Sequence, residues 1–322
     1  MASRPSRTDF RVDLGFRLGT GSVAVLVCAI VVGVGVVLTQ QSWLSIVKFG
    51  FGFWRGTTWD PVAGEFGALP FIWGTLYSSL VALLIATPIA LGIAIFLSEL
   101  SPHALKQPLI FLTELLAAVP SIVYGLWGIF VLIPFVRGLE IWTPSFLKKL
   151  PLFSGPPLGV GMLAAGLVLA VMVVPFIASV AREILKAVPG TQREAAYALG
   201  ATRWEAIRMV MYYARTGLIG AVMLGLGRAL GETMAVTMVI GNNPQVSWSL
   251  FAPQHTMAAV IANEFTEAAN ELYLDALVEI GLVLFTITMV INGLSRLLLW
   301  SVSERAPARR VAPKPEPAAA AA

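Results

Sequence analysis

The chain has few of the side chains on which most site chemistry depends. Of its 322 residues, 12% are charged, one is cysteine and two are histidine. The single cysteine, Cys28, excludes a disulfide within one chain, and His103 and His255 have no cluster of ligands beside them in the sequence. No lysine follows a glycine, so the phosphate-binding loop G-x-x-x-x-G-K-[ST] is absent. We therefore expect no catalytic residue, no metal and no bound cofactor in this chain.

Apolar residues are abundant instead. They make up 57% of the chain, and the mean hydropathy is +0.81. A helix needs about 20 mostly apolar residues to cross a hydrocarbon core about 30 Å thick. Six stretches meet this requirement: 19–39, 70–97, 109–136, 158–180, 216–241 and 276–300. The sequence predicts an all-α membrane protein with six transmembrane helices, the first of them uncleaved because no A-x-A-like site follows it.

The distribution of lysine and arginine predicts the orientation. With a cytoplasmic N-terminus, 15 of the 22 Lys and Arg residues fall in inner segments and 5 in outer ones, which follows the positive-inside rule. Both termini are then cytoplasmic, and the net charge of +4 needs no nucleic acid partner. The chain divides into a cytoplasmic arm (1–18), a six-span domain (19–300) and a tail (301–322). The tail is rich in Pro and Ala, and we expect it to be disordered.

The inner loop 181–215 contains helix-start signals. Residues 191–194 and 202–205 both have the S/T-x-x-E form of a capping box, in which the two side chains satisfy N–H groups at a helix start. Gly200 lies between them and is a natural helix stop, because glycine accepts the left-handed conformation. The loop is predicted to form two short helices with a bend at Gly200.

The first of these helices carries a small apolar face of Ala195, Ala196 and Leu199. This face either rests on the membrane or the chain's own spans, or receives another protein. Its sequence, EAAYALG, resembles the EAA loop of permease subunits in bacterial ABC importers, with Glu194, Ala195, Ala196 and Gly200 at the matching positions. The later Ile-x-Leu-Pro of that pattern is replaced here by Val-Met-Tyr-Tyr. The resemblance implies the type I ABC importer permease fold, with this coupling loop docked on a separate ATPase subunit.

Two opposite charges, Arg228 and Glu232, lie four residues apart near the middle of the apolar stretch 216–241. An arginine at the membrane centre costs about 2.5–3.5 kcal/mol on insertion scales, and residues one helical turn apart share a face. One interpretation is structural: a buried ion pair between packed helices, with Gly227 and Gly231 as a G-x-x-x-G packing face.

The other interpretation places the pair in a substrate pathway. The planar guanidinium suits oxyanions such as phosphate, and the carboxylate can accept a phosphate O–H, which sulfate lacks. Burying both charges is costly, which argues against a purely stabilising pair.

The sequence around the pair, MLGLGRALGETMAVTMVIGN, occurs with LLAAVPSIVYGLWG and ANEF elsewhere in the chain. Together they resemble the C-type permease subunits of Pst phosphate importers. In that family the fifth-span Arg and Glu are associated with phosphate translocation, and they match Arg228 and Glu232. The resemblance implies a permease subunit of an ATP-driven importer in the bacterial inner membrane that moves inorganic phosphate by alternating access. It also implies a second permease chain, two ATPase subunits that use the ATP, and an extracytoplasmic phosphate-binding protein.

Several alternatives stay open. In one alternative the chain transports another oxyanion, such as sulfate or molybdate. In a second it is an ion-coupled transporter, although no internal repeat supports that class. Glu114 and Glu279 are either pathway residues or ordinary end-of-span pairings. The aromatic residues of loop 40–69 form an interfacial belt or a partner surface, and the acidic loop 242–275 is expected to contact the partner. Pro120 is expected to kink the third span.

Overall fold

The structure is a computed structural model that describes the backbone of residues 7–304 and the side chains of residues 15–301. Its helices, α1 to α14 in chain order, are Arg7–Gln41, Trp43–Phe49, Gly52–Arg55, Leu69–Ile95, His103–Ala118, Ser121–Trp127, Ile133–Trp142, Ser145–Lys148, Met162–Lys186, Gly190–Ala198, Arg203–Leu230, Met234–Thr237, Met257–Glu264 and Glu271–Glu304. Two π-helical segments, Phe96–Leu100 and Gly128–Leu132, continue α4 and α6, and Pro151–Phe153 is a 3-10 turn. The strands β1 (Trp59–Asp60) and β2 (Glu65–Phe66) pair antiparallel.

Six helical segments of the described residues are long and apolar enough to cross a membrane, which confirms the predicted class and number of spans. They are Gly15–Gln41, Leu69–Leu100, Ser121–Trp142, Met162–Lys186, Arg203–Leu230 and Glu271–Ser301. Helix α1 begins at Arg7, within the predicted arm 1–18, and its membrane-spanning part begins at Gly15. Residues 1–6 and 305–322, which include most of the predicted tail, lie outside the described residues.

The third predicted span, 109–136, is wrong as a single helix. Val119 and Pro120 are extended, with ψ of 130° and 141°, and they separate α5 from α6. Proline disfavours the helical conformation of the residue before it, so the chain breaks here rather than kinks. The segment that crosses is Ser121–Trp142, whereas α5 lies beside α9 with no buried residue of its own. Hydropathy predicted a single span because both α5 and α6 are apolar.

The fifth predicted span, 216–241, is also wrong at its outer end. Helix α11 begins far earlier, in the inner loop, and ends at Leu230, where Gly231 is its C-cap. The residues after it form the short helix α12 and then a non-helical segment that reaches α13. Their apolar side chains, among them Ala235, Val236 and Ile240, are buried inside the protein. Backbone without regular hydrogen bonds is tolerated at membrane depth only when protein or water covers it, and here protein does.

The core of the span domain is the contact between α4 and α9. Ala82, Ala86, Ala90 and Ala94 recur every four residues, so they lie on one face of α4, and all are fully buried. Small side chains let two helix backbones approach closely where lipid offers no hydrophobic force to press them together. On α9, Gly166 also permits close approach, because a Cβ there would lie 2.4 Å from the Val81 side chain of α4.

The loop 40–69 after α1 forms a folded lobe, so the aromatic belt predicted for it is only partly correct. Phe53 and Phe66 are buried in a cluster with α13 and the start of α14. Trp59 packs edge-on against Phe71, at 4.8 Å between ring centroids, and donates its indole N–H to Glu264 at 2.8 Å. Glu264 therefore belongs to the lobe and is not a free acidic contact for a partner.

We expect Gly74→Ala to destabilise the protein strongly. A Cβ at this position of α4 would lie 1.9 Å from the carbonyl oxygen of His255, which is backbone and cannot rotate away. Such overpacking costs about 3 kcal/mol. The midpoint of thermal unfolding in detergent should fall, whereas Gly92→Ala in the same helix, with no atom within 4 Å of the added Cβ, should leave it nearly unchanged. Equal midpoints for the two variants would contradict the packing described.

Candidate functional site

Arg228 lies in the last turn of α11, and its side chain turns toward α9. Its guanidinium carbon lies 5.7 Å from the ring centroid of Phe176. Its Nε is buried and has no hydrogen-bond partner, and within residues 15–301 the side chain forms no ion pair. Leaving a buried cationic donor unpaired costs free energy, which an anion supplied from outside would recover. The arrangement is therefore suited to bind an anion.

Glu232 does not share a helix face with Arg228, contrary to the prediction. The helix ends between them, and no N–O distance between the two side chains is within 4.0 Å. Instead, Glu232 Oε1 accepts a hydrogen bond from the backbone N–H of Ala235 at 3.3 Å, at the start of α12. The interpretation of the pair as a structural ion bridge is wrong for this structure, because the turn at Gly231 redirects the chain.

The predicted packing face of Gly227 and Gly231 is not formed among the described residues. A Cβ at Gly227 would meet no atom within 4 Å, and one at Gly231 would meet only the Gly227 carbonyl oxygen at 3.9 Å. The glycines of α11 that do pack are Gly217 and Gly225, where a Cβ would lie 2.7 Å and 2.6 Å from isoleucine side chains of α9. Packing of Gly227 against a neighbouring helix stays a prediction, and Gly231 is the C-cap that ends α11.

The two capping boxes of the inner loop have different outcomes. Helix α10 begins at Gly190 after Pro189 with no side-chain cap, so the predicted box at 191–194 is wrong. The second box is confirmed, because Thr202 N–H donates to Glu205 Oε2 at 2.7 Å and Glu205 N–H donates to Thr202 Oγ1 at 3.4 Å. The helix that it starts is α11 itself, so only the first of the two predicted helices is short.

The predicted bend at Gly200 is confirmed. Its φ is +82°, and the N–H groups of Gly200 and Ala201 donate to the carbonyls of Tyr197 and Ala196 at 3.0 and 3.1 Å. These two bonds form a Schellman motif, which satisfies carbonyls at the end of α10. The predicted apolar face is split, because Ala196 is buried while Leu199 is 90% exposed.

An ion pair that the sequence did not reveal holds α10 in place. Arg193 donates from Nη2 to Glu99 Oε1 at 2.6 Å and from Nε to Glu99 Oε2 at 3.1 Å. These hydrogen bonds raise the pKa of the Arg193 guanidinium. The same guanidinium donates to the carbonyls of Leu185 and Val188 near the end of α9, and Arg203 donates to the carbonyl of Glu99. Arg193 therefore connects α10 to the segment after α4 and to the end of α9, and Arg203 connects the start of α11 to the backbone of Glu99.

Comparison with known proteins identifies the family. Residues 86–302 match the family described as "Binding-protein-dependent transport system inner membrane component". The chain belongs to this family.

Relatives of the chain include proteins named "Phosphate transport system permease protein PstC". The protein of Mesorhizobium japonicum is 46% identical over 91% of this chain and 91% of its own length, and that of Haemophilus influenzae is 48% identical over 90% and 93%. Among solved structures, a chain of the inward-facing MetNI methionine ABC transporter covers 72% of this chain and 94% of its own, with a TM-score of 0.55 and 19% identity. This last likeness shows the fold alone, which is that of an ABC importer permease.

The four residues that match the EAA pattern lie on α10 and at its end. Glu194, Ala195 and Gly200 are exposed, whereas Ala196 is buried. Three of the four positions are therefore accessible to another protein.

Glu114 and Glu279 have different surroundings. Glu114 is on α5 and forms an ion pair with Arg182 at 3.0 Å, which agrees with the structural alternative. Glu279 is on α14, only 3% exposed, and its Oε2 has no hydrogen-bond partner within the described residues. Its function stays open.

Proposed function

We propose that the chain is a permease subunit of an ATP-driven importer that moves inorganic phosphate across the bacterial cytoplasmic membrane into the cytoplasm by alternating access. The observation that carries the proposal is Arg228, a partly buried guanidinium at the end of α11 with no anionic partner among the described residues. The names and 46–48% identity of the relatives support phosphate as the anion over sulfate or molybdate.

In this proposal Arg228 binds two phosphate oxygens through its planar fork, the geometry in which arginine binds phosphate most strongly. The phenol of Tyr124 lies within electrostatic range of Arg228, but its O–H donates to the carbonyl of Leu116 at 2.7 Å and is not free for an anion. Glu232 Oε2 makes no hydrogen bond to the described residues, so it is available to accept a phosphate O–H. A fully deprotonated sulfate has no such proton, which gives a basis for discrimination.

The partners follow from the same proposal. Helix α10, with Glu194, Ala195, Ala196 and Gly200, docks on an ATPase subunit, and the exposed Leu199 beside it offers an apolar contact. A second permease chain completes the pathway, a second ATPase subunit docks on that chain, and a phosphate-binding protein delivers phosphate to the outer face. The ATPase subunits use the ATP, this chain binds no nucleotide or metal, and both of its termini are cytoplasmic.

Stimulation of ATP hydrolysis by different anions tests the proposed cargo. In vesicles that contain the assembled complex and its binding protein, phosphate should stimulate hydrolysis at least about tenfold more than equal concentrations of sulfate or molybdate. A tenfold preference corresponds to about 1.4 kcal/mol, which one hydrogen bond to a charged group supplies. Vesicles without binding protein are the control. Equal stimulation by the three anions would contradict the assignment to phosphate.

A further inference from the structure

The carboxylate of Glu99 forms a partly buried ion pair with Arg193 of α10. It lies on the π-helical segment Phe96–Leu100 and is only 12% exposed. Both of its oxygens accept hydrogen bonds from Arg193, in the bidentate geometry that fixes direction as well as distance. Single-turn π-helical segments are rare within helices and often occur at functional sites.

Arg193 is also the only side chain of α10 that forms a hydrogen bond or ion pair with the α4 segment in the described part of the chain. Its Nη1 donates to the carbonyl of Val188 at 2.9 Å, and its Nη2 donates to that of Leu185 at 3.1 Å. Because one rigid guanidinium makes all of these contacts, α10 cannot shift relative to α4 and α9 without breaking them.

The ion pair between Glu114 and Arg182 is more exposed than that between Glu99 and Arg193. Glu114 and Arg182 are joined by one hydrogen bond of 3.0 Å, and the Glu114 side chain is 56% exposed. An exposed pair of this kind is screened by water and moves readily. The two pairs differ in burial and in number of hydrogen bonds, so a substitution of Glu114 is a control for the same substitution of Glu99.

We infer that Glu99 and Arg193 are positioning residues that transmit the movement of α10 to α4 and α9, so that ATP hydrolysis by the partner drives opening and closing of the spans. The inference rests on the proposed function, because it takes α10 to be the element that the ATPase moves. Neither residue touches the substrate. Their function is to keep the docked helix and the spans moving as one body.

The ratio of phosphate transported to ATP hydrolysed tests this inference. In the reconstituted complex, Glu99→Gln should lower that ratio at least fivefold while the ATPase subunits still co-purify, because the neutral amide cannot hold both guanidinium donors. Arg193→Gln and the double variant should match it, and Arg193→Lys should recover part of the ratio. Glu114→Gln should resemble the wild type. A merely structural loss would lower transport and hydrolysis together and leave the ratio unchanged.

A wild-type ratio in Glu99→Gln would overturn the inference and leave the proposed function intact. If Glu99→Gln does not assemble, Arg193→Lys decides the matter, since it keeps the charge and loses the fork; a wild-type ratio there would also overturn the inference. A wild-type complex that hydrolyses ATP without moving phosphate would instead contradict the proposed function, and the inference would fail with it.

Discussion

Arg228→Ala should lower phosphate uptake by the assembled complex about 100-fold. The variant removes the fork that we propose binds two phosphate oxygens, and two charge-assisted hydrogen bonds are worth about 3 kcal/mol together. The complex should still assemble, because Arg228 makes no hydrogen bond or ion pair to the described residues that its loss would break. Uptake of radiolabelled phosphate by vesicles with binding protein measures the effect.

Two further variants make the result specific. Arg228→Lys keeps the charge but not the fork, so uptake should lie between those of the wild type and the alanine variant. Arg208→Ala removes a cation from an exposed position of the same helix, and it should leave uptake within about twofold of wild type, as expected for exposed surface changes. Wild-type uptake in Arg228→Ala would show that this arginine is not in the pathway.

Gly200→Val should detach the ATPase subunits and abolish uptake. With φ at +82°, Gly200 has a conformation that a β-branched residue avoids, and forcing one there costs about 1–3 kcal/mol. No atom lies within 4 Å of an added Cβ, so the effect comes from the backbone and not from a clash. The end of α10 would lose its Schellman bonds, and the exposed face that we propose for docking would change direction.

Gly200→Asn is the matched control, because asparagine tolerates the left-handed region. It should keep most of the ATPase association, measured by co-purification of the subunits in detergent. If Gly200→Val keeps both association and uptake, the bend does not determine docking.

Hydropathy predicted the number of spans correctly and two of their boundaries incorrectly. A stretch of apolar residues does not distinguish a helix that faces lipid from a segment buried inside protein, since both are dry. Several apolar residues of 231–241 are buried inside the protein, whereas 109–118 belong to α5, an apolar helix beside α9 that has no buried residue. Local signals for both breaks were present in the sequence, namely Gly231 after the last helical turn and Pro120 after Val119.

The candidate site was predictable only in part. Arg228 could be singled out because a cation in an apolar stretch is costly, and among the described residues it has no anionic partner. Its predicted relation to Glu232 failed, since helical spacing has meaning only where the helix continues. The pairing of Glu99 with Arg193 was not predictable, because 94 residues separate them and no pattern of spacing connects them.

The sequence by itself determined the membrane class, the number of spans, the bend at Gly200 and the presence of Arg228 in an apolar stretch, because these follow from local composition, backbone preference and the cost of a charge in lipid. Only the tertiary structure decided where α11 ends, which partner each charge has, and which glycines pack. Those outcomes depend on contacts between residues that are far apart in the chain. Such contacts decide whether an apolar segment is a helix in lipid or a loop in protein.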